Sequence, residues 1–263
     1  MSAAALNIRM AEKSLVNSVK EQYKNPKYTD LTIKCGHREW QVHKFVVCSQ
    51  SPFFAKACDG SFKEAEEGVI PLDHDDPSVI EAMVEYMYNF SYHDDHGMGV
   101  DGTVLSPIVF NVHVLILADK YDMPGLARLA EMKYSTQAFN EWQEAAFADA
   151  VALVWAIDAK FADVVREVAI QVALLHAKEF DTDVVGAKFR EAVGSVPALG
   201  LALWRRQIYA KETTGRETHT WCKCPQGCSN TVCVDWSYAQ SYQIWCGVCR
   251  TYLAVERWKK CED

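Results

Sequence analysis

Two periodicities meet at His43, and that junction constrains the fold class. Leu31-Thr32-Ile33-Lys34-Cys35 alternates apolar and polar residues, Gly36-His37-Arg38 can turn, and Trp40-Gln41-Val42 resumes the alternation. This predicts a β-hairpin over residues 31–42. Past His43 the period is helical. Phe45, Val46, Cys48, Phe53, Phe54 and Ala57 fit two short helices broken at Ser51-Pro52, because proline lacks a donor and restricts its predecessor. Val69-Ile70-Pro71-Leu72 predicts a third short strand. Asp76-Pro77 then opens a longer helix, with a capping carboxylate followed by proline at the first helical position. Further helices are predicted at about 106–121 and 124–139. A few short strands among many helices make an α+β domain.

Ahead of this block, Ile8, Ala11, Leu15, Val19 and Tyr23 recur every three or four residues and predict an amphipathic helix ending near Asn25-Pro26. Its stripe must be buried, either on its own domain or on another chain. From Trp142 to about Glu212 the pattern is helical throughout, with Gly194-Ser195-Val196-Pro197 starting the last helix.

Charge limits the functions open to the chain. A formal net charge of −8 over 263 residues argues against a large nucleic-acid footprint, which needs concentrated Lys and Arg. The acidic run from Glu64 through Asp76 to Asp101 reads as a solvated face and the segment His93 to Thr103 as a mobile loop; within it His93-Asp94-Asp95-His96 could bind a metal, but in a glycine-rich polar loop it more often just keeps the loop soluble. No apolar stretch reaches the ~18 residues of a spanning helix, and residues 1–10 do not read as a secretory signal. The expected location is the cytosol or nucleus, where ten cysteines serve as thiols or metal ligands rather than disulfides. Cys35, Cys48 and Cys58 sit singly on apolar segments and read as core thiols.

The tail differs in composition, holding seven of the ten cysteines. Cys246-Gly247-Val248-Cys249 and Cys224-Pro225-Gln226-Gly227-Cys228 each place turn residues between two thiols. Two such pairs suit tetrahedral zinc, and residues 231–244 can supply intervening strands. The pattern resembles a zinc ribbon with Cys224, Cys228, Cys246 and Cys249 as ligands. Cys222 and Cys233 are alternates in the first pair. A closed four-thiolate shell is structural and has no open position for catalysis. Counting from Lys211, seven Lys and Arg face six Asp and Glu, a net of +1, so the tail reads as structural or protein-binding rather than as a DNA reader.

The ordered blocks Tyr28-Thr29-Asp30-Leu31-Thr32-Ile33, Val42-His43-Lys44, Ser51-Pro52-Phe53-Phe54, Asp76-Pro77, Met83-Val84-Glu85-Tyr86-Met87-Tyr88 and Leu117-Ala118-Asp119-Lys120-Tyr121 together resemble the BTB/POZ family. With the helical extension and ribbon-like tail, the arrangement resembles fungal-type members. The resemblance implies an amphipathic helix at 1–25, a BTB/POZ-like domain at 26–140, an all-α extension at 141–213 and a cysteine-rich module at 214–263. It also implies a non-enzymatic interaction protein that homodimerises through its first helix. Asp30 would then lie close to the dimer interface; the residues alone allow it simply to bond turn amides. Phe62-Lys63-Glu64 falls where cullin-binding members carry a hydrophobic residue, any residue, then glutamate. Within the block, Phe62 and Glu64 are the expected exposed contacts.

The implied role is a scaffold or substrate adaptor for a cullin-type ubiquitin ligase. The alternative is a chromatin or transcription regulator that recruits co-regulators through the same domain. No phosphate loop, zinc-protease helix or nucleophile-base pair points to an enzyme. His43 reads as a structural histidine bonded to backbone.

Overall fold

The computed structural model describes residues 3–59, 63–95, 97, 103–157, 161–182, 186–213, 219–224, 226, 231–235, 243–246 and 251–254. The chain divides into two compact units, Met1–Ser135 with Ala146–Glu167, and Thr136–Ala145 with Val168–Asp263.

The first unit is α+β. Helix α1 (Ala3–Lys24) leads into strands β1 (Leu31–Cys35) and β2 (Arg38–Val42). The two strands pair antiparallel from Leu31 with Val42 to Cys35 with Arg38. Gly36 makes the turn at φ 57°, a conformation that other residues adopt only with strain. The alternation is realised as burial, since Leu31, Ile33 and Cys35 are buried while Thr32 and Lys34 are not. Strand β3 (Val69–Pro71) adds parallel to β1, giving the order β2-β1-β3.

Helices α2 (Lys44–Cys48) and α3 (Pro52–Asp59) break where proline predicted. Residues 63–67 form helix α4 (Lys63–Glu67), which no apolar periodicity in the sequence signals. Lys, Glu and Ala are good helix formers, Glu64 and Glu66 lie near the positive end of the helix dipole, and Lys63 pairs with Glu67 one turn on at 3.5 Å.

Helix α5 (Pro77–Asn89) begins as read. Asp76 Oδ1 accepts the Ser78 amide at 2.7 Å, and proline occupies the first turn. Helix α6 (Pro107–Lys120) is buried nearly all round, from Ile108 and Phe110 to Leu117 and Ala118, and is the centre of the core. Helix α7 (Pro124–Asn140) starts in this unit, and α8 (Ala145–Ala156) and the start of α9 (Ala162–Leu175) complete it. Arg166 ties α9 to the end of α8 through the carbonyls of Val154 at 3.2 Å and Ile157 at 2.5 Å.

The second unit contains helices α10 (Ala177–Thr182), α11 (Gly186–Ser195) and α12 (Pro197–Thr213). The Trp142 ring stacks on His176 at 3.8 Å, and Phe180 stacks on Phe189 at 4.3 Å. A Cβ on Gly186 would lie 2.1 Å from the Phe180 carbonyl oxygen, so only glycine permits this approach of α10 and α11. Two hairpins follow. Strand β4 (His219–Lys223) pairs antiparallel with β5 (Thr231–Asp235), and β6 (Gln243–Cys246) with β7 (Thr251–Ala254).

Candidate interaction surface

Asp30 has a structural task whatever else it does. Its amide donates to Val42 O at 3.2 Å, and its Oδ1 accepts the Lys44 amide at 2.7 Å. The carboxylate therefore caps the first turn of α2, where amides lack intrahelical partners.

His43 is held on both ring nitrogens. Nε2 lies 2.6 Å from the Lys27 carbonyl and so carries the proton. Nδ1 then accepts from the Tyr88 hydroxyl at 2.8 Å, while that oxygen accepts the His43 amide at 2.9 Å. His43 is half-buried and, as expected, bonded to backbone. Ser51 is engaged elsewhere. Its buried hydroxyl donates to Tyr121 O at 2.6 Å and accepts the Phe54 amide at 3.3 Å. The two residues are not a base and its nucleophile.

Part of the acidic run is internal bracing rather than a solvated face. Asp75 accepts from Lys120 Nζ at 2.7 and 2.8 Å and from the Tyr121 hydroxyl, and Asp73 Oδ1 accepts the Gly36 amide at 3.1 Å. Burial, then the bond to Asp75, pushes the Tyr121 hydroxyl far above the usual tyrosine range. Burial also pushes the Cys35 thiol up, reinforced by Asp75. These groups keep their protons. In the loop after α5, Glu85 holds His93 through the ring at 2.7 Å and the amide at 3.0 Å, and Asp94 pairs with Lys133 at 3.2 Å. Those anchors fix His93 and Asp94 at the start of the expected loop; residues 96 and 98–102 lie outside the described residues. The anchoring roles of Tyr88, Tyr121 and Asp75 had no local signal, because each joins segments some 45 residues apart.

Exposure falls differently from expectation. Phe62 lies outside the described residues, and Glu64 is half-buried in the first turn of α4. Among the described residues of the block, the most exposed large apolar side chains are Tyr28 at 92% and Phe45 at 82%. Tyr28 also has a left-handed backbone, with φ 62°. The C-terminal end of α1 is anchored, with Tyr23 against Tyr88 at 5.9 Å between ring centroids. Nearer its start Met10, Ala11 and Leu15 are exposed, Leu15 at 68%. Among the described residues of the predicted stripe, Ala11 and Leu15 are exposed while Val19 and Tyr23 are half-buried.

In the tail, Cys224 is buried just after β4. Cys228 and Cys249 lie outside the described residues; for Cys222, Cys233 and Cys246 only strand positions are described. Among the described residues no three metal-ligating side chains cluster. The β4–β5 register pairs Cys222 with Val232 and Cys233 with Trp221. Cross-strand partners share a face and neighbours alternate, so the two alternates occupy register positions on opposite faces of the hairpin.

The family model for the BTB/POZ domain matches residues 19–138. Residues 19–138 are a BTB/POZ domain. Mouse Kelch-like protein 41 is 26% identical over 119 residues, covering 43% of this chain and 20% of that protein. Mouse TD and POZ domain-containing protein 4 is 24% identical over 126 residues, covering 47% and 31%. Human Kelch repeat and BTB domain-containing protein 4 is 37% identical over 62 residues, covering 24% and 12%. The chain thus spans less than a third of these relatives. Among solved structures, the BTB domain of zebrafish PATZ1 aligns with 45% of this chain and 86% of its own at 12% identity, with a TM-score of 0.34. Among the described residues no helix is long and apolar enough to cross a membrane.

Proposed function

We propose that this chain is a non-enzymatic interaction protein of the cytosol or nucleus that self-associates through its BTB/POZ domain and serves as an adaptor or scaffold for a cullin-type ubiquitin ligase. One observation carries the self-association: α1 is anchored at Tyr23 yet leaves Met10, Ala11 and Leu15 exposed. An apolar stripe fixed at one end and uncovered at the other gains most by burying against a second copy of itself. A dimer would present each partner-binding surface twice, raising apparent affinity through effective concentration.

The adaptor role draws on the relatives, whose names join BTB and kelch modules, and on Phe62-Lys63-Glu64. Glu64 at the start of α4 offers an orienting charge two positions along the chain from the apolar anchor proposed at Phe62. Affinity capture with the wild type, Phe62→Ala and Glu64→Lys tests it. The wild type should retain a cullin scaffold and both variants should lose it. Equal recovery of a cullin with all three, or none with the wild type, contradicts the adaptor role.

The tail is read as a structural zinc module. Cys224 and Cys228 flank or occupy the connection from β4 to β5, and Cys246 and Cys249 that from β6 to β7. A thiol pair at the turn of each of two hairpins suits a four-thiolate ion. About fifty residues bury little surface alone, and a bound ion would supply the missing stabilisation.

A further inference from the structure

His176 stands where α9 ends and α10 begins. Its amide donates to Val172 O at 3.1 Å and its carbonyl accepts the Phe180 amide at 3.0 Å, so one residue closes the last turn of α9 and opens the first of α10. The ring stacks on Trp142, which the connection from α7 to α8 supplies, at 3.8 Å between centroids and 15° between planes. Phe180 meets the same indole edge-on at 5.4 Å. All three residues belong to the second unit. Phe180 is buried and, with Ala177, Phe189 and Leu203, also lines a largely apolar pocket among α9 to α12. The same ring therefore touches Trp142 and forms part of that wall.

We propose that the Trp142–His176 stack is a pH-sensitive latch, which holds the start of α10 while the imidazole is neutral and releases it when the imidazole is protonated. Two features favour the cation. The indole face attracts positive charge, and Glu179 Oε1 lies 3.9 Å from Nδ1. Burial opposes them, because the His176 side chain is only 21% exposed, and Glu179 is a long, half-exposed partner whose attraction water screens. Burial wins, holding the ring below the ordinary histidine value, with Glu179 working against it. Glu141 and Glu144 flank Trp142 in the chain and Lys178 precedes Glu179; of these charged groups, Glu179 is the one felt at the ring. A folded value below the unfolded one means that the packed junction favours the neutral ring. The contribution of the latch is full above the unfolded value and is lost as pH falls through the folded one.

The test labels the full-length chain with 5-fluorotryptophan and follows fluorine NMR from about pH 8 down to about pH 5. Trp142→Phe assigns its resonance among the eight. That resonance should move along one titration curve centred below the ordinary histidine value of 6.5. Over the same range the Phe180 amide, corrected for the chemical exchange rate, should exchange about threefold faster or more at the acidic end, because its acceptor is the His176 carbonyl. Glu179→Gln removes the carboxylate that favours the cation and should move the midpoint lower; His176→Gln should flatten the curve. A Trp142 resonance that does not titrate, or one that titrates while the Phe180 amide keeps its protection, overturns the proposal. The two wild-type measurements decide the matter even where a variant folds poorly.

Discussion

The Asp30 carboxylate accepts the backbone N–H of Lys44 at 2.7 Å, fastening the entry to β1 onto the first turn of α2. Asp30→Ala should lower unfolding stability by about 1 kcal/mol, as loss of a capping side chain does, while Asp30→Asn keeps an accepting oxygen and most of the stability. Urea unfolding of the three proteins measures this. Equal stability of Asp30→Ala and wild type would leave Asp30 with an interface role alone.

Glu131 on α7 should give the first unit a pH-dependent stability. Burial pushes its carboxyl from the ordinary 4.5 up to about 7, against the opposing Arg128 guanidinium. A folded value above the unfolded one means that the folded state favours the protonated acid. The contribution is full below the unfolded value and is lost as pH rises through the folded one. Wild-type stability should therefore fall, relative to Glu131→Gln, between about pH 5 and about pH 8. Parallel urea midpoints for the two proteins across that window would show that Glu131 does not titrate there.

The proposed zinc module has a direct readout. Elemental analysis of fresh, untagged protein should find about one zinc per chain, and a chelator should unfold the tail while leaving the helices of the BTB/POZ domain intact. Cys246→Ser should abolish retention, whereas Cys222→Ser and Cys233→Ser should keep the metal. Zinc far below one per chain would contradict the module.

Much of the BTB/POZ domain was legible because its signals are local. Alternation at Leu31, Ile33 and Cys35 became one buried face, and Asp76-Pro77 became a capped helix start. Helix α4 was missed because five residues with no buried apolar side chain carry no periodicity. The bonds of Tyr88 to His43 and of Ser51 to Tyr121 join residues 45 and 70 apart, and nothing in either neighbourhood announces the partner. The candidate surface was legible in part. The apolar stripe of α1 can be read from spacing, but that its cover stops short of Leu15 follows only from how α1 packs on α5.

Self-association through α1 is tested most directly by light scattering of the purified full-length chain at micromolar concentration. The account predicts twice the chain mass for the wild type and a shift to a single chain for a folded Leu15→Glu variant, which places a charge on the uncovered stripe. A wild type that stays at the mass of one chain across the micromolar range would contradict it.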